Sequence, residues 1–121
     1  MQDEASLRVT MMPRDTNVHG TIFGGIILSY IDLAGAVHAR KVGCANIVTV
    51  AMDGIVFLEP VYVGDVVSFR TTTKQLGRTS LRVRVTVDAW RYKDNSEVRV
   101  TEAEVVYVNV DAARRPLPIP R

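Results

Sequence analysis

Asp32 is the one charged residue inside an otherwise apolar, helix-forming run from Ile26 to Ala39. An ionised carboxylate among aliphatic neighbours is costly unless it is paired or hydrated, so packing alone does not explain it. No Arg or Lys stands one helical turn away on either side. Two readings stay open: a general base or nucleophile made more basic by apolar surroundings, or a buried aspartate paired with an Arg, a Lys or a backbone donor. Gly24-Gly25 stands at the entrance of the same helix. Paired glycines let backbone amides approach a ligand, and the helix dipole favours negative charge there, which suits the oxyanion of acyl transfer. A tight packing turn is the plainer alternative. Upstream, Asn17 offers an amide that orients a water or a carbonyl, or simply makes a turn. His19 reads as a general acid or as an exposed loop histidine. His38, beside Arg40 at the helix end, reads as a surface residue favoured by the dipole. With two histidines and no carboxylate at ligand spacing to them, a metal site is not expected.

The elements that position these residues follow from pattern. Ser6 to Met12 alternates weakly as a short strand, and Pro13 to Gly25 is a loop rich in breakers. From Phe23 to Arg40 the apolar residues cover almost the whole circumference, which predicts a helix buried all round and closed by Gly43. Everything after Asn46 reads as strands: Ile47 to Phe57 with a kink at Gly54, Val66 to Lys74, then Leu81 to Trp90 with strict alternation, and Val98 to Val110. Glu102 and Glu104 break the apolar parity of the last, so a bulge or a solvated patch is expected there. Pro116, Pro118 and Pro120 predict a loose or extended tail from about residue 111. One strand, one long helix and four long strands make an α+β domain over residues 1–121. The antiparallel sheet must curl about the helix, as in the hotdog fold. An uncovered sheet edge and helix face argue for a dimer or larger homo-oligomer.

Composition narrows the function. The 121 residues carry 15 basic and 13 acidic side chains, net +2, too balanced for a nucleic-acid footprint. The single cysteine, Cys44, permits no disulfide within the chain and fits a cytoplasmic setting. Met1 to Arg8 lacks the apolar core of a signal peptide, and no run is long enough to span a membrane.

The ordered set Pro13-x-Asp15-x-Asn17-x-x-Gly20-x-x-Phe23-Gly24-Gly25, an apolar helix with Asp32, Val48-Thr49-Val50 and Phe57-x-x-Pro60-Val61-x-x-Gly64-Asp65 resembles the bacterial and cytosolic acyl-CoA hydrolases of the hotdog class. The resemblance covers roughly two thirds of the chain, to the Gly77-Arg78-Thr79-Ser80 turn. It implies that Asp32 is the hydrolytic carboxylate, that Asn17 reaches it from a partner subunit, and that the Gly24 and Gly25 amides hold the thioester oxygen. It further implies that the Gly77–Ser80 turn helps to bind CoA, with Lys74 and Arg78 available for phosphates. An acyl slot lined by Phe23, Ile27, Val50 and Phe57 is expected. CoA enters as part of the substrate and no separate cofactor is implied. Two alternatives share the fold: a dehydratase pairing His19 with Asp32, and a non-catalytic acyl-CoA-binding module.

Overall fold

The structure, a computed structural model, describes residues 4–121, so the Met1–Asp3 part of the segment judged against a signal peptide lies outside the described residues. The chain runs β1 (Glu4–Thr10), a 3-10 turn (Pro13–Asp15), α1 (Gly24–Val42), β2 (Ile47–Phe57), β3 (Val66–Leu76), β4 (Ser80–Arg91) and β5 (Ser96–Asn109). The strands form one antiparallel sheet in the order β1-β3-β4-β5-β2, with α1 packed on its inner face. This is the curled sheet around a single helix that the element order predicts.

Alternation builds the core. Leu81, Val83, Val85 and Val87 of β4 and Ala103, Val105 and Tyr107 of β5 all point inward and are fully buried. Against them α1 sets Ile27, Ile31, Ala34, Gly35 and Ala39, a stripe at helical spacing. The helix is therefore not buried all round. Leu33 on its other side is half exposed, and so are Val50, Val56 and Phe57 on the edge strand β2. Apolar residues on every face of α1 thus leave one face on the sheet and another partly exposed.

Several local expectations meet their causes here. Gly54 has φ +62, and the β2–β5 register shifts between Asp53 and Val56, so the kink is a bulge at a left-handed glycine. Gly43 closes α1 at φ +128 with its amide shared between the Ala39 and Arg40 carbonyls. Glu102 and Glu104 form a charged, part-exposed patch, and the β2–β5 register shift falls opposite them. They face outward and pair with Arg84 (3.0 Å) and Arg82 (3.0 Å), in a charged band that continues to Asp53, Arg99 and Asp88. The β4–β5 ladder has its own register shift further along, at Val87/Asp88. His38 is not a free surface residue: its ring nitrogens lie 3.0 and 2.9 Å from the Thr71 and Thr73 hydroxyls of β3. The tail is extended but docked rather than loose. Its Leu117 and Ile119 amides bond the Asn109 and Arg78 carbonyls (both 2.8 Å), and Ile119 is buried.

One close approach governs how α1 seats. The Tyr107 hydroxyl donates to the Asp32 carbonyl at 2.7 Å, and the ring passes over Gly35 so closely that a Cβ there would collide with the hydroxyl and lie 2.9 Å from two ring carbons. Tyr107 is wholly buried and has nowhere to retreat. Alanine at this position gains about 1 kcal/mol of helix propensity. Overpacking costs about 1–3 kcal/mol and more where nothing yields. Gly35→Ala is therefore expected to destabilise the fold in urea unfolding. Combining it with Tyr107→Phe, which removes the colliding oxygen, should lose less than the two single losses added together.

Candidate active site

Asp32 sits near the middle of α1, half-buried, on the side that turns toward β2. Its Oδ1 accepts a 2.8 Å hydrogen bond from the Thr49 hydroxyl, and its Oδ2 has no bond among the described residues. This differs from the fully apolar enclosure expected of it: the side chain borders the open face of the helix. Two hydroxyls hold the residue, Thr49 at its carboxylate and Tyr107 at its carbonyl. Burial and the neighbouring Asp32 push the Tyr107 phenol far above its usual range, so it remains a donor. Cys44 is buried and its thiol is pushed up by burial, which leaves it no nucleophile.

A second group gathers at the N-terminus of α1. Asn17 has turned its side chain onto its own loop: Oδ1 accepts from the His19 amide (2.8 Å) and the Thr21 amide (3.3 Å), and Nδ2 donates to the Thr21 hydroxyl (3.0 Å). The loop is closed by the Thr16–Ile22 bridge and presents Val18, 96% exposed, at its tip next to exposed His19. At its base, buried Asp15 accepts from the Met12 amide, and its carbonyl receives the Phe23 amide. Gly24 and Gly25 open the helix with no side-chain cap, leaving first-turn amides for an acceptor from outside. Neither glycine has positive φ; the Phe23 ring lies over Gly25, where a Cβ would fall 2.7 Å from it, and Phe57 borders Gly24. Beside them opens a cleft of about 340 Å³, lined by Ile22, Gly24, Ile27, Thr101 and the segment Phe57 to Val61. Ile27 and Phe57 thus line it as expected, whereas Phe23 and Val50 lie outside its lining.

Within one chain the two groups are apart. From Gly25 to Asp32 is seven residues of helix, about 10 Å at the α-helical rise. Along the sheet, Thr49 pairs with Tyr107 and Tyr107 with Leu81, which places Asp32 one rung from Ser80. Phe57 pairs with Thr101 at the cleft, about 20 Å further along β5 from the rung of Ser80. The Gly77–Ser80 turn therefore stands at the Asp32 end, with Arg78 exposed and its carbonyl holding Ile119. Lys74 points elsewhere: its Nζ lies 3.9 Å from Glu104 on the outer face of the sheet, opposite α1. Sequence reasoning gave Thr49 no role beyond its place in the Val48-Thr49-Val50 motif, and it missed Tyr107. Both were visible as hydroxyl-bearing residues at strand positions, but only strand register brings them to Asp32.

A curled antiparallel sheet wrapped on one helix is the hotdog architecture. The model of the thioesterase superfamily matches residues 19–92. The chain is 40% identical to the acyl-CoA thioester hydrolase YciA of Salmonella typhimurium, over 98% of this chain and 92% of that protein. Among solved structures, a hexameric hotdog fold thioesterase of Campylobacter jejuni superposes with TM-score 0.91 at 44% identity, covering 97% of this chain and 90% of that one. An acyl-CoA hydrolase from Staphylococcus aureus, solved with butyryl coenzyme A and coenzyme A, superposes with TM-score 0.87 at 28% identity over 96% and 73%. The chain belongs to the thioesterase superfamily. Among the described residues no helix is long and apolar enough to cross a membrane.

The Tyr107 contact has a pH signature. Its folded pKa is raised, so the folded state keeps a proton that the unfolded chain gives up above about pH 10. Stability from this group is complete below pH 10 and falls as pH rises further, by about 1.4 kcal/mol per unit. In native protein titrated at 295 nm, Tyr107 should stay phenolic until the fold is lost. Tyr107→Phe should abolish that delayed step.

Proposed function

We propose that the protein is an acyl-CoA hydrolase whose active site is assembled from two copies of the chain. Membership of the thioesterase superfamily makes it a thioester hydrolase, and the names of its relatives point to acyl-CoA as the substrate. The observation that carries the shared site is the separation of Asp32 from Gly24 and Gly25 along one helix. A thioester carbonyl bonded to the helix-entrance amides cannot also meet a carboxylate about 10 Å further down the same helix. Edge strand β2 carries Thr49 at one end and Phe57 at the other. Antiparallel pairing of two β2 edges about the middle of the strand sets Thr49 and Asp32 of one copy beside Phe57, Gly24 and Asn17 of the other. The same pairing covers Val50, Val56 and Leu33, and the hexameric relatives are consistent with larger assembly from such dimers.

In this arrangement Thr49 orients Asp32 through Oδ1 and leaves Oδ2 for the reaction. Oδ2 either removes a proton from the attacking water or itself attacks the carbonyl carbon. The Gly24 and Gly25 amides of the other copy take up the negative charge of the tetrahedral intermediate. When water attacks, the C–S bond breaks as the proton held by Asp32 passes to the departing sulfur, giving CoA thiol and the free acid. When Oδ2 attacks, C–S cleavage releases CoA and leaves an acyl-aspartyl anhydride, which a water then opens to the free acid and the regenerated carboxylate. Asn17 shapes the loop that delivers these amides, and through it the position of the carbonyl. The acyl chain lies in the cleft bordered by Ile27 and Phe57. Arg78 and Ser80, at the Asp32 end, face the CoA portion; His19, on the exposed tip beside Val18, meets the neighbouring copy. Lys74 contributes only through a rearrangement away from Glu104.

Asp32→Asn should fold normally and lose about 100- to 10,000-fold in turnover, as expected for a lost base. Asn17→Ala should also be nearly inactive. Co-expression then tests the shared site. Random pairing makes half the dimers mixed, and each mixed dimer has one site with both defects and one with neither, so roughly a quarter of sites recover. Verified mixed dimers with no recovered activity would place Asn17 and Asp32 in the same chain's site. A folded Asp32→Asn protein with normal turnover would remove Asp32 from the chemistry.

A further inference from the structure

The wall of the acyl cleft is a segment that its own backbone holds poorly. After β2 ends, the Leu58 and Glu59 amides both reach the Val100 carbonyl, at 2.8 and 3.4 Å, and the next backbone anchor is the Val61 carbonyl, which accepts from the Ile22 amide at 2.8 Å. Between them lies Pro60, which has no N–H to give and keeps Glu59 from helical geometry. The Pro60 carbonyl is met from behind by Arg91, the last residue of β4, whose Nη2 donates to it at 2.6 Å. The same guanidinium lies 5.0 Å over the Tyr62 ring, and its Nε reaches the buried Asp65 carboxylate at 3.4 Å. Asp65 in turn accepts the Tyr62 amide at 3.0 Å, and its backbone is bonded to Met11. Among the described residues, Arg91 is the side chain that bonds a backbone group between Phe57 and Val61.

We propose that Arg91 is a positioning residue for the acyl cleft: by clamping the Pro60 carbonyl against Asp65 and Tyr62 it sets the depth of the cleft and hence which acyl chains fit. A planar fork reaches a carbonyl and a carboxylate together while stacking on a ring; a lysine ammonium keeps the charge but not that geometry. The proposal rests on the cleft being the acyl site.

The test compares acetyl-CoA, whose acyl group ends before the wall, with hexanoyl-CoA, whose chain reaches it. Wild type, Arg91→Lys and Arg91→Gln are assayed as folded, assembled protein, with Arg99→Ala as the control. Arg99 pairs with Asp88 and Glu102 on the outer sheet face and has no contact with the cleft. In Arg91→Gln the hexanoyl-to-acetyl ratio of kcat/KM should fall about tenfold, the scale of a misfit by one methylene, mostly through KM. Arg91→Lys should fall between this and wild type, and it carries the test alone if the glutamine variant does not assemble. Arg99→Ala should lower the melting temperature without moving the ratio. A ratio unchanged within twofold in assembled Arg91 variants, or moved equally by Arg99→Ala, overturns the clamp. Wild-type protein that cleaves no acyl-CoA would instead overturn the hydrolase reading itself.

Discussion

The hydrogen bond from the Tyr107 hydroxyl to the Asp32 carbonyl joins the helix to the sheet at the level where the carboxylate stands. It crosses the core from β5 to the middle of α1, and its phenol is wholly buried. A mid-helix carbonyl already receives a backbone amide, so a second donor is not needed to satisfy it. What the bond adds is registration. With Gly35 giving the ring room to pass, α1 cannot slide or rotate on the sheet without breaking a buried polar contact, which costs about 1–3 kcal/mol when one partner is left alone. The Thr49 hydroxyl then meets the carboxylate from the neighbouring edge strand, at the same rung of the sheet. Seating of the helix and aim of the carboxylate are thus set by one line of contacts running from β4 through β5 and β2.

Fixing the helix in this way also fixes the distance between its two chemical features. Helix-entrance amides and a side chain two turns later are about 10 Å apart in any α-helix, and no loop movement changes that. A protein that uses both on one carbonyl has to bring them from different helices. The loop from Asn17 to Thr21 is built for reach: the Asn17 side chain organises it internally, and its tip carries an apolar residue almost fully in solvent. An isolated exposed valine is unremarkable on a surface. Here it stands beside the uncapped helix start and the cleft, on the part of the chain that the proposed dimer turns toward the neighbouring Asp32.

The sequence revealed the elements because each has a local cause. Strict alternation in β4, a left-handed glycine in β2 and glycine closure of α1 are all properties of short windows, and their positions agree with the structure to within a few residues. The errors come from contacts between distant segments. Glu102 and Glu104 do form the outward patch that their parity suggested, but the arginines that pair with them stand on another strand and were not legible locally. The proline-rich tail looked unattached because what holds it is the carbonyls of Asn109 and Arg78. His38 looked like a surface residue because Thr71 and Thr73 lie more than thirty positions away. For the site, Asp32 and Gly24-Gly25 stood out by type and spacing, whereas Thr49, Tyr107, Gly35 and Arg91 act only through register and packing. Lys74 shows the limit most plainly: a cation near a turn is legible, but which face of the sheet it leaves from is a matter of strand parity.

The exposed apolar surface bears directly on the proposed division of the site. Val50, Val56 and Phe57 line the edge of β2, each about half exposed, and Leu33 adjoins them on the helix. An uncovered apolar edge strand invites pairing, and natural sheets usually blunt such edges with charge or proline. β2 places a single charged residue, Asp53, in its middle, and that carboxylate is already engaged by Arg82 at 2.9 Å on the outer face. The edge therefore carries little that would repel a copy of itself. If pairing supplies the burial that this edge lacks, the event that stabilises the chain is also the one that completes its active site. A separated subunit would then be weakened and inactive together, since Asp32 would lose its oxyanion amides in the same step that returned Phe57 and Val50 to water.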